Sequence, residues 1–272
     1  MINNIKSNDI NEIKATMYAD DTGGIVKNLK SVEYFFEEFK KWGNVSGASM
    51  NEDKTKILGI NSCYEKFRNI NFVENLKILG ITFDKKGISS INLENCKKKI
   101  KKTLKLWNGF RFNMIDKITV LKTFGLSKLW CLLNFISLDK QEIKNLEHVA
   151  FKYIWDNRAE TIKREILYTD FKGGGLNMIS IRAKIKTISI RNLLYIKLNM
   201  NRPQYQFSVY WMKFVFKEYL NNFNILPIGL ETQRPKLYKL MIETSKNFSE
   251  KYRKPLIVCC ALICSFGYKL CT

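Results

Sequence analysis

Histidine is almost missing: His148 is the single one among 272 residues. It falls in a helical pattern between Glu147 and Val149, with no second histidine to share a metal, and it reads as a packed or solvated side chain. Acidic residues are also scarce, 25 against 46 Lys and Arg, which leaves a formal charge of +21. A field of that sign attracts polyanions, nucleic acid first among them. An anionic membrane surface would instead call for a basic amphipathic helix or a spanning segment. Long apolar runs are lacking: the longest, Leu256 to Phe266, is far short of the roughly 20 residues a membrane helix needs. No membrane partner is therefore expected. The start, Met1-Ile2-Asn3-Asn4-Ile5-Lys6, is polar and lacks the apolar core of a secretory leader. The seven cysteines are odd in number and show no framework spacing, which points to a reducing, intracellular compartment, nuclear or cytoplasmic. Cys259, Cys260, Cys264 and Cys271 lack a zinc-ligand spacing and no histidine follows them. Apolar content, by contrast, is ample. At 46% it can build the core of one large or two small domains.

The stretch Met17-Tyr18-Ala19-Asp20-Asp21-Thr22 sets two adjacent carboxylates between β-prone runs. Ile13 to Val26 is predicted as two short strands joined by a tight turn, with Asp20 and Asp21 at or beside the tip. Such a tip suits Mg²⁺, which prefers hard oxygen ligands and takes one or two protein carboxylates plus substrate phosphates. An Asp-Asp-Thr in a turn is equally ordinary turn chemistry, so the motifs that follow decide between the two.

Ser31 is predicted to cap a helix with Val32, Phe35, Phe36, Phe39 and Trp42 on one face, ended by Gly43 and packed on the back of the hairpin. Asn51 to Lys54 reads as a turn and Thr55 to Ile60 as a strand. Leu76 to Asp84 reads as a further apolar strand, with Asp84 to Gly87 as its turn; Gly80 within it would permit close approach of a backbone or ligand. From Asn92 the pattern is helical, with Leu93, Cys96, Ile100, Leu104 and Trp107 on the apolar face. The opposite face carries Lys97, Lys98, Lys99, Lys101, Lys102 and Lys105, and no acid occurs from Asn95 to Ile115. Like charges one turn apart destabilise an isolated helix, and a polyanion would relieve that repulsion. Arg111 to Ser137 reads as apolar helix through Ile115, Ile118, Leu121, Phe124, Leu129 and Leu132. Asp139 with Glu142 is a candidate capping box for a helix that buries Ile143, Leu146, Ala150, Tyr153 and Ile154. Gly173 to Gly175 reads as a turn between helices, and the rest, from Ile179 on, as helices punctuated by Pro203, Pro227 and Pro235.

In that order these motifs resemble the back half of a reverse transcriptase from a non-LTR (LINE-type) retrotransposon. Tyr18-Ala19-Asp20-Asp21 is similar to the metal-binding signature that caps the palm hairpin. Ser46-Gly47, then Asn51 and Lys54, resemble the fourth palm motif, and Leu79-Gly80-Ile81 resembles the motif that closes the palm and positions the primer end. The lysine-rich helix resembles the thumb by position. Phe151 to Trp155 and the later Gly173-Gly174-Gly175-Leu176 resemble the region beyond it.

The resemblance implies an α+β fold: a partial palm over residues 1–90, a hairpin with a packed helix; a helical thumb over 91–158; and a helical C-terminal region over 159–272. It implies RNA-directed DNA synthesis with Mg²⁺ on Asp20 and Asp21. Lys54 would lie near the incoming nucleotide's phosphates and protonate the leaving pyrophosphate. Gly80 and the six thumb lysines would touch an RNA template and DNA primer, through phosphate contacts that carry no sequence information. The family's third metal-bridging carboxylate lies on a strand well before the Asp-Asp hairpin. Only 19 residues precede Asp20 here, with Asp9 and Glu12 the acids among them. Glu12 is expected within the hairpin's own first strand, so the polypeptide is expected to be catalytically incomplete by itself. The family's terminal zinc knuckle is not carried over. The alternative from another class is a non-catalytic basic nucleic-acid-binding remnant or domesticated module.

Overall fold

The computed structural model describes residues 5–7, 10–18, 21–60, 66–202, 205–212 and 234–252. The fold is α+β, with small antiparallel sheets early in the chain and helices after them. It divides into two compact units, Met1–Asn92 and Leu93–Thr272.

The first unit begins with an antiparallel sheet in the order β1-β2-β3: β1 Ile5–Ser7, β2 Ile10–Tyr18 and β3 Asp21–Ile25. Tyr18 pairs with Asp21 and Met17 with Thr22. Two residues, Ala19 and Asp20, are left between the strands, and both lie outside the described residues. The expected hairpin is there, and Glu12 falls within its first strand. Unforeseen is β1, which pairs Ile5 with Ile13 and Ser7 with Ile10 on the outer edge of β2.

Helix α1, Leu29–Ser46, differs from expectation at both ends. Its cap is Asn28, whose Oδ1 accepts the Ser31 backbone N–H at 2.9 Å. Ser31 therefore sits within the first turn, fully buried. At the other end the helix runs through Gly43 and stops at Gly47, which takes φ +74° and donates its N–H to the Gly43 carbonyl. Gly43 serves packing instead: a Cβ there would lie 2.4 Å from the Ala48 carbonyl oxygen. The helix rests on the hairpin where Gly24 has no side chain, since a Cβ at Gly24 would come within 3.0 Å of the Phe35 ring. Its inner residues Val32 and Phe36 form a small core with Ile70, flanked by Val26, Met50, Ile57 and Phe67.

Thr55 to Ile60 is not the expected strand. It makes a single parallel bridge, Ile57 to Phe72, with Val73 N–H donating to the Ile57 carbonyl at 2.8 Å. Ile57 packs in the core while Ile60 is exposed, so this segment has one anchoring point and no ladder. A short hairpin follows, β4 Lys66–Phe67 with β5 Ile70–Asn71. The expected single strand from Leu76 to Asp84 is in fact two, β6 Asn75–Ile78 and β7 Ile81–Asp84, with β8 Gly87–Ile88 pairing on the far side of β7. Leu79 (φ 46°) and Gly80 (φ 86°) make the two-residue turn, and left-handed φ at both positions is what the strand twist of a tight hairpin requires. Buried Asn92 locks this sheet: its Oδ1 accepts from Thr82 N–H at 2.8 Å and its Nδ2 donates to the carbonyls of Thr82 and Ser89.

The second unit is helical. Helix α2, Ile91–Trp107, begins in the last residues of the first unit and buries Leu93, Cys96, Ile100 and Leu104 as its period predicts. The expected helix over Arg111 to Ser137 starts later, capped by Asn113, and is not uniform. Helix α3 (Met114–Val120) passes into a π-helical turn (Leu121–Leu126) and then α4 (Ser127–Leu132). The π turn holds an extra residue and shifts the inward face. Leu126 is buried, and Ile115 and Phe124, expected inside, are exposed. Gly125 lies against Leu104, which a Cβ would meet at 3.2 Å.

Asp139 and Glu142 form the expected reciprocal capping box at the start of α5, Lys140–Ile154. Buried Glu147 on α5 receives both Nε and Nη2 of Arg182 on α7, Ile181–Leu198, at 2.9 and 3.1 Å. Between them α6 (Arg164–Tyr168) leads to the glycine turn, where Gly174 has φ +77° and a Cβ on Gly175 would meet the Thr169 carbonyl oxygen at 2.2 Å. Helices α8 (Gln206–Met212) and α9 (Lys236–Tyr252) close a second core with α7 around Leu193, Met212 and Met241.

Candidate functional site

In the first unit the sequence-predicted site residues fall in three places. Asp21 opens β3 directly across from Tyr18, and both are exposed. Asp20 lies outside the described residues. Asp21 alone offers one exposed carboxylate, a hard oxygen donor of the kind Mg²⁺ takes together with water and phosphate ligands. Among the described residues no group of three or more His, Cys, Asp or Glu side chains is gathered for a metal ion.

Lys54 ends the turn from Asn51. The Asn51 side chain accepts the Lys54 backbone N–H at 3.0 Å, and the Asn51 carbonyl accepts the Thr55 hydroxyl and N–H. The spacing of Asn and Lys is thus that of a side-chain-closed turn, which leaves the lysine exposed. Met50 before the turn and Ile57 after it pack on the Val32 and Phe36 core, as does Val26 at the exit of the Asp21 strand. Segments neighbouring the metal-ligand candidate and the cation candidate, Val26 on one side and Met50 with Ile57 on the other, thus pack on one small core.

Gly80 stands elsewhere, at the β6–β7 turn. A Cβ at this position would meet no atom within 4 Å, so its backbone angle, not close approach of a neighbour, accounts for the glycine.

In the second unit, α2 carries the lysines. Lys98, Lys99, Lys101, Lys102 and Lys105 are exposed, while Lys97 is half-buried and pairs with Glu94 at 2.9 Å. The cluster is thus compensated at one member, a correction to the expectation of six unneutralised charges. The field of the rest is visible at Glu94: hydrogen-bonded Lys97 holds its carboxyl below the usual range, and Lys98 and Lys101 add to the effect. Cys96, on the buried face, donates weakly to the Lys128 carbonyl. Burial pushes its thiol up against the opposing pull of Lys99 and Lys128, as befits a small apolar filler.

His148 is exposed. The four C-terminal cysteines, Cys259, Cys260, Cys264 and Cys271, lie outside the described residues, as do Asp9 and the apolar run from Leu256. No described helix is long and apolar enough to cross a membrane.

Sequence periodicity assigned Trp107 and Phe124 to core faces and missed what they form. Trp107 stacks on Phe124 at 5.1 Å between ring centroids, and Phe110 stacks on Phe112 at 5.6 Å, both within 6 Å of Trp107. The signal available in the sequence was the spacing of Trp107, Phe110 and Phe112 around Arg111 in a stretch without acids. No family model matches the chain.

Proposed function

We propose that the chain is a segment of the RNA-directed DNA polymerase of a non-LTR retrotransposon, a partial palm followed by a nucleic-acid-tracking helical thumb. The observation that supports this reading is that Val26, which follows the Asp21 strand, and Met50 and Ile57, which bracket the Lys54 turn, pack on the same core of α1. Phosphoryl transfer needs a metal-holding carboxylate and a cation for the leaving phosphates held relative to one another. Motif order supports it further, since the lysine-bearing helix follows the two palm motifs.

In this reading Asp20 and Asp21 would hold Mg²⁺, which supplies charge neutralisation at the reacting phosphates. Lys54 would face the leaving pyrophosphate and Gly80 the primer end. The α2 lysines would hold the phosphate backbone of an RNA template and DNA primer without reading sequence. A two-metal site draws on a third bridging carboxylate, and an Asp20–Asp21 pair without one would bind primer–template without extending it.

Filter binding across a salt series tests the binding half. Affinity should fall by roughly 0.7 to 0.9 log units per phosphate contact for each log unit of salt. Changing Lys98, Lys99, Lys101, Lys102 and Lys105 to Gln should flatten that slope, and Asp20→Asn with Asp21→Asn should leave it unchanged. Absence of binding near physiological salt overturns the nucleic-acid reading. Templated, Mg²⁺-dependent primer extension by the polypeptide alone would show that it supplies that third carboxylate itself. The non-catalytic binding module is favoured by the exposed lysine face of α2, and it parts from the polymerase reading at the genome: a frame upstream of Met1 that encodes a carboxylate-bearing strand supports the polymerase segment.

A further inference from the structure

Resting on the nucleic-acid reading above, we infer that the C-terminal end of α2 carries a base-stacking platform for unpaired nucleotides, built from Trp107, Phe110, Phe112 and Phe124. Two of its pairs are near parallel, Trp107 on Phe124 with 23° between planes and Phe110 on Phe112 with 19°. All four rings belong to one connected set through Trp107. A hydrophobic core would bury such a set. Here Phe110 is 59% exposed and Phe124 44%, with Leu106 beside them exposed as well.

Local backbone features hold the rings outward. The helix ends at Trp107, and Asn108 to Asn113 turns the chain back before α3, so Phe110 and Phe112 stand on a loop next to the last helical turn. The π turn from Leu121 to Leu126 carries Phe124 away from the core, and Gly125 beside it admits Leu104. A π insertion of this kind is often found where a functional side chain has been re-aimed.

Charge selects the occupant. No acid occurs between Asn95 and Ile115, and the platform is flanked in sequence by Lys101, Lys102, Lys105 and Arg111, which favours a polyanion whose repeating unit also carries a flat face for the rings. Lys128, one turn after Phe124, donates to the Phe124 carbonyl. Exposed aromatic rings within a cationic surface are the arrangement by which proteins hold single strands, the rings taking base faces and the cations taking phosphates. The occupant is therefore an unpaired stretch of RNA or DNA; every base has a face to stack, so little sequence preference is expected.

The test uses the full chain, a fluorescein-labelled single-stranded oligothymidylate and a blunt duplex of equal length. Phe110→Ala should weaken single-strand binding by about tenfold to a hundredfold, the loss that accompanies removal of one base–ring stack, with the salt slope unchanged and duplex binding little altered. Phe110→Tyr should restore it. Phe110→Leu, which keeps apolar area without an aromatic face, should behave like Ala. If Phe110→Ala or Phe110→Leu binds single strands as well as the parent does, or weakens duplex and single strand alike, the platform is overturned while the lysine-dependent binding of the parent stands. If the parent binds neither probe, the nucleic-acid reading itself fails. A thermal melt of each variant accompanies the titration, and Phe124→Leu serves as the second substitution should Phe110→Ala unfold.

Discussion

The two units differ in how much they bury. In the first, the described core comes down to Val32, Phe36 and Ile70, while Tyr18, Ile25, Val45, Ile60 and Leu79 face solvent. In the second, Leu121, Leu126, Leu129, Leu167, Ile181, Leu193 and Met212 are buried to 1% exposure or less. A fully buried aliphatic side chain contributes about 1.5 to 3 kcal/mol, so the helical unit has the larger reserve against conformational entropy. The teaching is a division of labour: the candidate chemistry sits on short strands and turns with a thin core, and the candidate binding surface sits on a scaffold that stabilises itself. Elements of low local stability are common where function needs exposure.

The largest test of that contrast is Leu121→Ala against Val32→Ala. Leu121 has no exposed surface, and its truncation should cost about 3 to 5 kcal/mol through the cavity it leaves. Val32→Ala should cost about 1 to 2 kcal/mol by lost burial. Hydrogen exchange followed by mass spectrometry reads each unit separately: Leu121→Ala should deprotect residues 114–132, and Val32→Ala residues 29–46. Equal protection of the two segments in the parent protein would break the comparison.

Next in size is Gly43→Ala. Alanine in a helix interior normally stabilises by about 1 kcal/mol over glycine, but here the new Cβ would lie 2.4 Å from the Ala48 carbonyl oxygen. The sign should reverse, with a net loss of about 1 to 3 kcal/mol in urea unfolding; a gain would mean that the turn after α1 yields easily. Asp139→Ala comes third. It removes the capping box of α5 and should cost about 1 kcal/mol, seen as faster exchange in the first turn of α5 with little change in its buried half.

The smallest effect is a pH dependence confined to the second unit. Arg164 clamps Glu160 through two hydrogen bonds and holds its carboxyl below the usual range. Glu94 is likewise lowered by Lys97. A carboxyl depressed in the folded state contributes stability that is complete above the ordinary glutamate pKa and is lost as pH falls through the lowered folded value. Thermal midpoints should therefore fall in acid, and Glu160→Gln should flatten that fall. An unchanged profile for Glu160→Gln would show the pair to be thermodynamically silent, as many exposed ion pairs are.

Features set by a few neighbouring residues were legible in the sequence. The hairpin that pairs Tyr18 with Asp21, the capping box of Asp139 and Glu142, the apolar face of α2 and the glycine turn at Gly173 to Gly175 each depend on residues within one or two turns of chain. The turn read from Asn51 to Lys54 is likewise local, closed by the hydrogen bond from the Lys54 N–H to the Asn51 side chain. The errors were of another kind. Thr55 to Ile60 had β-strand composition but found one bridging partner, and Leu76 to Asp84 concealed the turn at Leu79 and Gly80 because apolar residues flank it on both sides.

What the sequence by itself determined is the order of the elements, the positive charge and the placement of lysines opposite the apolar face of α2, because charge and period are properties of the chain alone. Tertiary structure decided two things: that Val26 after the Asp21 strand and Met50 and Ile57 around the Lys54 turn share the core of α1; and that the π turn exposes Phe124 against Trp107. Each depends on which distant backbone or side chain fills the adjoining volume, and close packing over long separations is not written in local periodicity.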